Sequence, residues 1–139
     1  MATFNKFQQF VEDLAEKVHN LGADLLTIAL TAAASAPVAT NAVLANITQI
    51  AYTNLSARVP TITSSIQTAG TYKLILADLV LTASGTVAAF RYVVLYNDTS
   101  SAPLKPLIGW DDYGSDLILA TGETFTIDFD GVGGVLTLV

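Results

Sequence analysis

Apolar positions recur every three or four residues at the start of the chain and about every two thereafter. Phe7, Phe10, Val11, Leu14, Val18 and Leu21 form one stripe, which predicts an amphipathic helix over residues 4–21. Asn5 or Thr3 stands where an N-terminal cap belongs, and Gly22 where a left-handed C-terminal cap belongs. Glu12, Asp13 and Glu16 lie off the stripe, and His19 falls beside it, the place of a solvated surface imidazole. Beyond Gly22 the period is that of strands. Residues 24–31 form an apolar run that ends in the Ala32–Pro37 breaker. Residues 38–57 are rich in Ala, Asn and Thr, with one weak apolar run at Val43–Ile50 and no clear period. Val59–Gln67 alternates through Ile62 and Ile66, with Pro60 suiting a strand start or an edge. Thr71–Ala83 is apolar at both parities, which predicts one strand covered on both faces.

Tyr92, Val94 and Tyr96 alternate with Arg91, Val93 and Leu95 along Phe90–Asn97, and a polar, Pro-bounded loop runs to Pro106. Leu107–Tyr113, Leu117–Ala120, Glu123–Asp130 and Val135–Val139 follow, separated by Gly114-Ser115, Thr121-Gly122 and Gly131–Gly134. Phe125, Ile127 and Phe129 are expected to point inward, with Thr124, Thr126 and Asp128 in solvent. Short strands between turn signals, with a single helix pattern, predict a mainly β fold. The expected form is an antiparallel β-sandwich or jelly roll preceded by one N-terminal amphipathic helix. The expected division is a helical arm over 1–22 and a β-sandwich domain over 23–139. The helix either covers the end of its own sheet or docks on a neighbouring subunit.

Composition sharpens this picture. Hydrophobic residues make up 52% of the 139 positions and charged residues 13%, with a net charge of −6 and no cysteine. Disulfides and thiolate chemistry are thereby excluded, and an acidic surface is unsuited to a nucleic-acid backbone. Residues 25–57 carry no charge, but Thr, Ser, Asn, Gln and Pro interrupt them before they reach the 18 or so apolar residues of a spanning helix. A signal-peptide reading of Leu25–Leu30 and Ala34-Ser35-Ala36 fails on the acidic, overlong segment before it. The chain is expected to be made in the cytoplasm and soluble, with no membrane or nucleic-acid partner.

With His19 the only histidine, a Ser-His-Asp set that needs a second one and a metal site with two are both excluded. Asp111, Asp112 and Asp116 gather around Trp110 and Tyr113, with Glu123, Asp128 and Asp130 beyond. Paired carboxylates can hydrolyse glycosides, yet acids in turns and strand ends more often serve solubility and structure. Asp128-Phe129-Asp130-Gly131 alternates acids as a calcium loop does, without the remaining ligand positions. Gly131–Gly134 reads as a hairpin turn, and no cofactor is called for. Alternation puts Ile108 and Trp110 on one face and Leu107, Gly109 and Asp111 on the other. Trp110 then serves packing or, secondly, a sugar-stacking platform.

Four stretches carry a resemblance: APVATNAVLANITQI (36–50), QTAGTYKL (67–74), FRYVVLYNDT (90–99) and FTIDFD (125–130). They resemble small virion proteins of tailed bacteriophages and prophages over most of the chain, and hold no catalytic motif. The family pattern has a Gly-rich stretch after Gln49-Ile50 where this chain has Tyr52–Pro60, a departure that bears on a loop or edge used in assembly. The resemblance implies a non-enzymatic structural component of the particle, most similar to head decoration or cement proteins on the head exterior. Its implied partners are the major capsid protein and copies of itself as a homo-oligomer. The contact residues expected on this reading are Phe7, Phe10, Val11 and Leu14. The alternative is a tail or fibre module that binds a cell-surface glycan through Trp110, Tyr113, Asp111 and Asp112.

Overall fold

The alternating segments pair into three antiparallel sheets in a computed structural model that describes residues 4–139. In chain order the elements are β1 (Phe4–Lys6), α1 (Gln9–Ala15), β2 (Leu26–Thr31), β3 (Ile62–Thr68) and β4 (Thr71–Leu76). They continue with β5 (Leu79–Thr82), β6 (Phe90–Asn97), β7 (Leu107–Leu117), β8 (Thr124–Ile127) and β9 (Leu136–Leu138). A four-stranded sheet has the order β1-β7-β6-β2, a three-stranded sheet β3-β4-β9, and a two-stranded sheet β5-β8.

The β2–β6 half of the four-stranded sheet is buried on both faces. Every residue of β2 is buried, and all of β6 except half-buried Arg91. One face presents Ile28, Leu30, Val93, Leu95 and Ile108 to Leu74, Leu76, Leu81 and Ile127 of the smaller sheets. The opposite face presents Ala29, Val94, Tyr96 and Leu107 to Phe7, with Leu44, Ile47 and Trp110 packed around them. The uncharged segment after β2 therefore acts as a lid. A single 3-10 turn at Leu44–Asn46 carries Leu44 onto the sheet, and Leu44 N donates to Lys105 O at 2.9 Å. Asn46 Oδ1 fixes this turn by accepting from Ala42 N at 3.0 Å and Val43 N at 3.1 Å. The outer edge of β2 is closed too: Ile28 N donates to Arg58 O, Ile50 N to Leu30 O and Leu30 N to the Tyr52 hydroxyl. The Arg58 guanidinium donates to Ile28 O and lies 3.6 Å over the Tyr52 ring.

The N-terminal helix is shorter than its apolar spacing predicts. Phe4–Lys6 pairs with β7 instead, Asn5 lying opposite Trp110, and helical structure covers only Gln9–Ala15 before Lys17 turns left-handed at φ 68°. Gln8 occupies the cap position rather than Asn5, and Thr3 lies outside the described residues. The expected stripe is split accordingly. Phe7 and Phe10 are buried in the chain's own core, Leu14 packs against it, and Val11 is 51% exposed. Gly109 permits the approach of β1, since a Cβ there would meet Asn5 O at 2.7 Å and the Phe4 ring.

Four offsets overturn the expected parities. Thr71–Ala83 is two strands in two sheets: the chain changes partner at Ala77-Asp78, with Ala77 N donating to Thr61 O and Asp78 Oδ1 accepting from Phe129 N at 2.9 Å. Leu74 and Leu76 lie inside before the change, and Leu81 and Ala83 lie inside after it. The two-sided pattern thus records a switch of parity. In β3 a bulge between Ile62 and Ser64 sends Ile62 to the core and Ile66 to solvent. In β7 a bulge opposite Leu95-Tyr96 inserts Ile108, so Leu107 shares a face with Trp110 while Ile108 faces the main core. Further along, β7 runs unbroken through Gly114 (φ 85°), where a turn was expected, because residues 113–116 bulge out between the Asp112 and Leu117 pairings.

The clean alternation at residues 124–129 holds, with Ile127 and Phe129 buried, Phe125 packed against them, and Thr124, Thr126 and Asp128 exposed. Gly131–Gly134 is not a hairpin turn, since it joins β8 and β9 of different sheets. The tight hairpin is at Ala69-Gly70, both left-handed at φ 51° and 84°, as a two-residue turn between twisted strands requires.

These contacts make the stripe residues unequal. Phe7→Ala should cost about 3–5 kcal/mol of folding stability by opening a cavity under Trp110. Val11→Ala should change it by less than about 0.5 kcal/mol. Urea unfolding of both variants checks the contrast, and equal losses would mean that Phe7 does not face the core.

Candidate functional site

The four residues expected to form a glycan platform do not share a surface. Trp110 lies opposite Val94 and Asp112 opposite Tyr92, on the lid side of the sheet. Asp111 lies opposite Val93, on the side of the main core, where Tyr113 also packs. Trp110 is tied down by Phe7, with ring centroids 4.5 Å apart at 40°. Tyr113 stands edge-on to Phe125 at 5.0 Å, and burial, then Asp111 and Asp128, push its phenol up to about 12. Asp112 forms a fork with Arg91 at 2.7 and 3.0 Å and accepts from Gly114 N, which holds its carboxyl below the ordinary range. Desolvation alone pushes Asp111 the other way, up to about 6.

Several carboxylates hold the chain's own backbone. Asp78 accepts from Phe129 N, Asp116 from Ala33 N at 3.0 Å, and Glu123 from Ala120 N at 2.7 Å. Asp130, the acid considered for calcium, accepts from Val132 N at 2.9 Å and Gly133 N at 2.6 Å. No group of three His, Cys, Asp or Glu side chains is arranged to hold a metal ion among the described residues. No helix among them is long and apolar enough to cross a membrane.

His19 is the residue most misplaced by its sequence pattern. Because α1 ends at Ala15, His19 lies in the irregular segment that follows and only 6% of it is exposed. Its ring packs 5.2 Å from that of Phe10, and its Nδ1 lies 3.1 Å from Asn97 Nδ2. Asp13, on the adjacent helix, is buried as well.

A surface suited to a macromolecular partner lies elsewhere, on the outer face of β3 and β4. Ser64, Ile66, Thr68, Thr71, Lys73 and Ile75 share this face by register, and Val132 rises beside it; together they line a shallow depression of about 590 Å³. Ile66 is 62% exposed and Val132 83%, and Lys73, donating to Val132 O at 3.3 Å, is the face's one charge. β3 is an edge strand, and among the described residues none of Ile62–Thr68 makes a main-chain hydrogen bond outside its pairing with β4. Strand alternation through Ile62 and Ile66 marks this segment as a strand but not as a site, because the bulge that turns Ile66 outward leaves no local mark.

No protein-family model matches the chain, and no curated protein or solved structure matches it.

Asp111 gives the cluster a test with a defined sign. A carboxyl raised from 3.8 to about 6 on folding keeps its proton longer in the folded state. Its contribution to stability is therefore fully present below the unfolded value and is lost as pH rises through the folded one. Asp111→Asn removes this loss, so its Tm should exceed that of the native chain above about pH 6 and converge with it near pH 4. Parallel Tm curves through that window would place Asp111 in water.

Proposed function

We propose that the chain is a non-enzymatic structural component of a phage particle, a capsid decoration or cement protein that binds and stabilises the head shell from outside. Its partners are the major capsid protein and further copies of itself. In this reading the four-stranded sheet and the two smaller sheets are the layers of a β-sandwich. The observation that carries the proposal is the outer face of β3–β4, where exposed Ile66 and Val132 and half-buried Ile75 adjoin an unpaired strand edge and a single lysine.

An apolar, nearly uncharged face desolvates at little electrostatic cost, and a free edge offers main-chain donors and acceptors to a neighbouring strand. The resemblance of residues 36–50, 67–74, 90–99 and 125–130 to virion proteins points to the same use. Phe7 and Phe10 are then internal supports, and the contact moves from the helix stripe to the β3–β4 face. The glycan alternative has less support, since Trp110 and Asp112 lie on one side of β7 and Asp111 and Tyr113 on the other.

Mass spectrometry and immunolabelling of particles from the strain that encodes the chain should place it on the head exterior. A tail position, or absence from particles, overturns the proposal. Ile66→Lys should weaken binding to heads at least about tenfold while leaving Tm within a few degrees. Undiminished binding would rule this face out as the contact.

A further inference from the structure

We propose that His19 is a proton-operated latch: neutral, it locks the β6–β7 loop to the segment after α1, and protonation moves it from Asn97 to Asp13 and frees that loop. The amide of Asn97 is fully buried. Its Oδ1 accepts from Thr99 N at 2.9 Å and Ser100 N at 3.2 Å, so the orientation of the amide is set by the backbone. Its Nδ2 must then point the other way, where it donates to Asp24 Oδ2 at 2.6 Å and faces His19 Nδ1 at 3.1 Å. A nitrogen facing an N–H donor has to be an acceptor. His19 is thereby held as the neutral tautomer with its proton on Nε2.

A second proton would have to sit on Nδ1, against the Asn97 amide hydrogens. The amide cannot turn over without abandoning the Thr99 and Ser100 N–H groups. Asp13, close enough to act electrostatically on His19, has its Oδ2 buried without a hydrogen-bond partner, as is His19 Nε2, whereas Asp13 Oδ1 already accepts from Gln9 Nε2 at 3.2 Å. Asp13 Oδ2 is thus a buried, unoccupied acceptor for the imidazolium, and the neutral ring has Asn97. Burial holds the imidazole below its ordinary range, with Asp13 and Asp24 opposing that shift. The other ionisable groups lining the adjoining cleft are Lys17 and, from β4, Tyr72, whose hydroxyl is engaged by Ser65 Oγ at 2.8 Å. Leu138 of β9 adds no charge.

The sign follows from the lowered value. The unfolded chain binds the proton first, so acidification below about 6.5 weakens the latch, fully so below the folded value. The affected segment is the connection that starts at Asn97, which Asp98 N and the Thr99 hydroxyl also tie to the Leu25 backbone.

NMR of the imidazole nitrogens in the full chain, together with amide hydrogen exchange, tests the latch. At about pH 8 the ring should show the Nε2–H tautomer, and its midpoint should fall below about 6.5. Across that midpoint exchange at Thr99 and Ser100, normalised to the Ile28 amide, should rise about tenfold. Asp13→Asn, which keeps the acceptor for Gln9, should lower the midpoint further. An Nδ1–H ring, exchange at Thr99 and Ser100 that ignores the titration, or a midpoint unmoved by Asp13→Asn would each overturn the proposal.

Discussion

A central strand with no free face governs the rest of this fold. β6 lies between β2 and β7, and seven of its eight residues are buried. A sheet with one wet face can alternate apolar and polar residues, but this one must be covered twice. The smaller sheets cover one side. The other is covered by a segment without regular strands, whose buried main-chain groups need partners. The Leu44 N–Lys105 O and Leu107 N–Ala42 O bonds and the Asn46 turn supply them. Part of the uncharged run at residues 25–57, which raises the question of a membrane, has this duty: Leu44 and Ile47 pack on the sheet that contains β2.

The same constraint accounts for how the few charges are used. The chain's accessible area is 6906 Å², close to the roughly 6,900 Å² expected of a folded monomer of its mass. Carboxylates close loops by accepting main-chain N–H groups, as Asp78, Asp116, Glu123 and Asp130 do. The polar cluster of Asp13, His19, Asp24 and Asn97 sits where the N-terminal segment, the start of β2 and the end of β6 meet. Three elements are joined there through one amide, which makes its protonation-sensitive neighbour consequential.

Most strand segments and the mainly β class were legible in the sequence, because alternation at Phe125, Ile127 and Phe129 needs only local backbone geometry. The helix was legible in part. Its apolar spacing is met by Phe10 and Leu14, while Phe4–Lys6 goes to β7 because pairing there also places Phe7 under Trp110. Of the candidate sites, the Trp110–Tyr113 cluster was found as a string of residues but not as a surface. The exposed face at Ile66 and the burial of His19 were not legible, since each depends on where the chain stops following its period.

The sequence by itself determined which residues can be strand, which segment can lie under cover without charge, and which chemistries lack their residues. Side-chain period and composition are local properties, and they survive in any arrangement of the elements. The tertiary structure alone decided which way each side chain points. A single inserted residue at Thr63 or Ile108, or a change of partner at Ala77-Asp78, reverses every parity beyond it. Such offsets are set by the register of a strand far away in the chain. That is why Ile66 faces solvent, Leu81 the core, and Trp110 the lid.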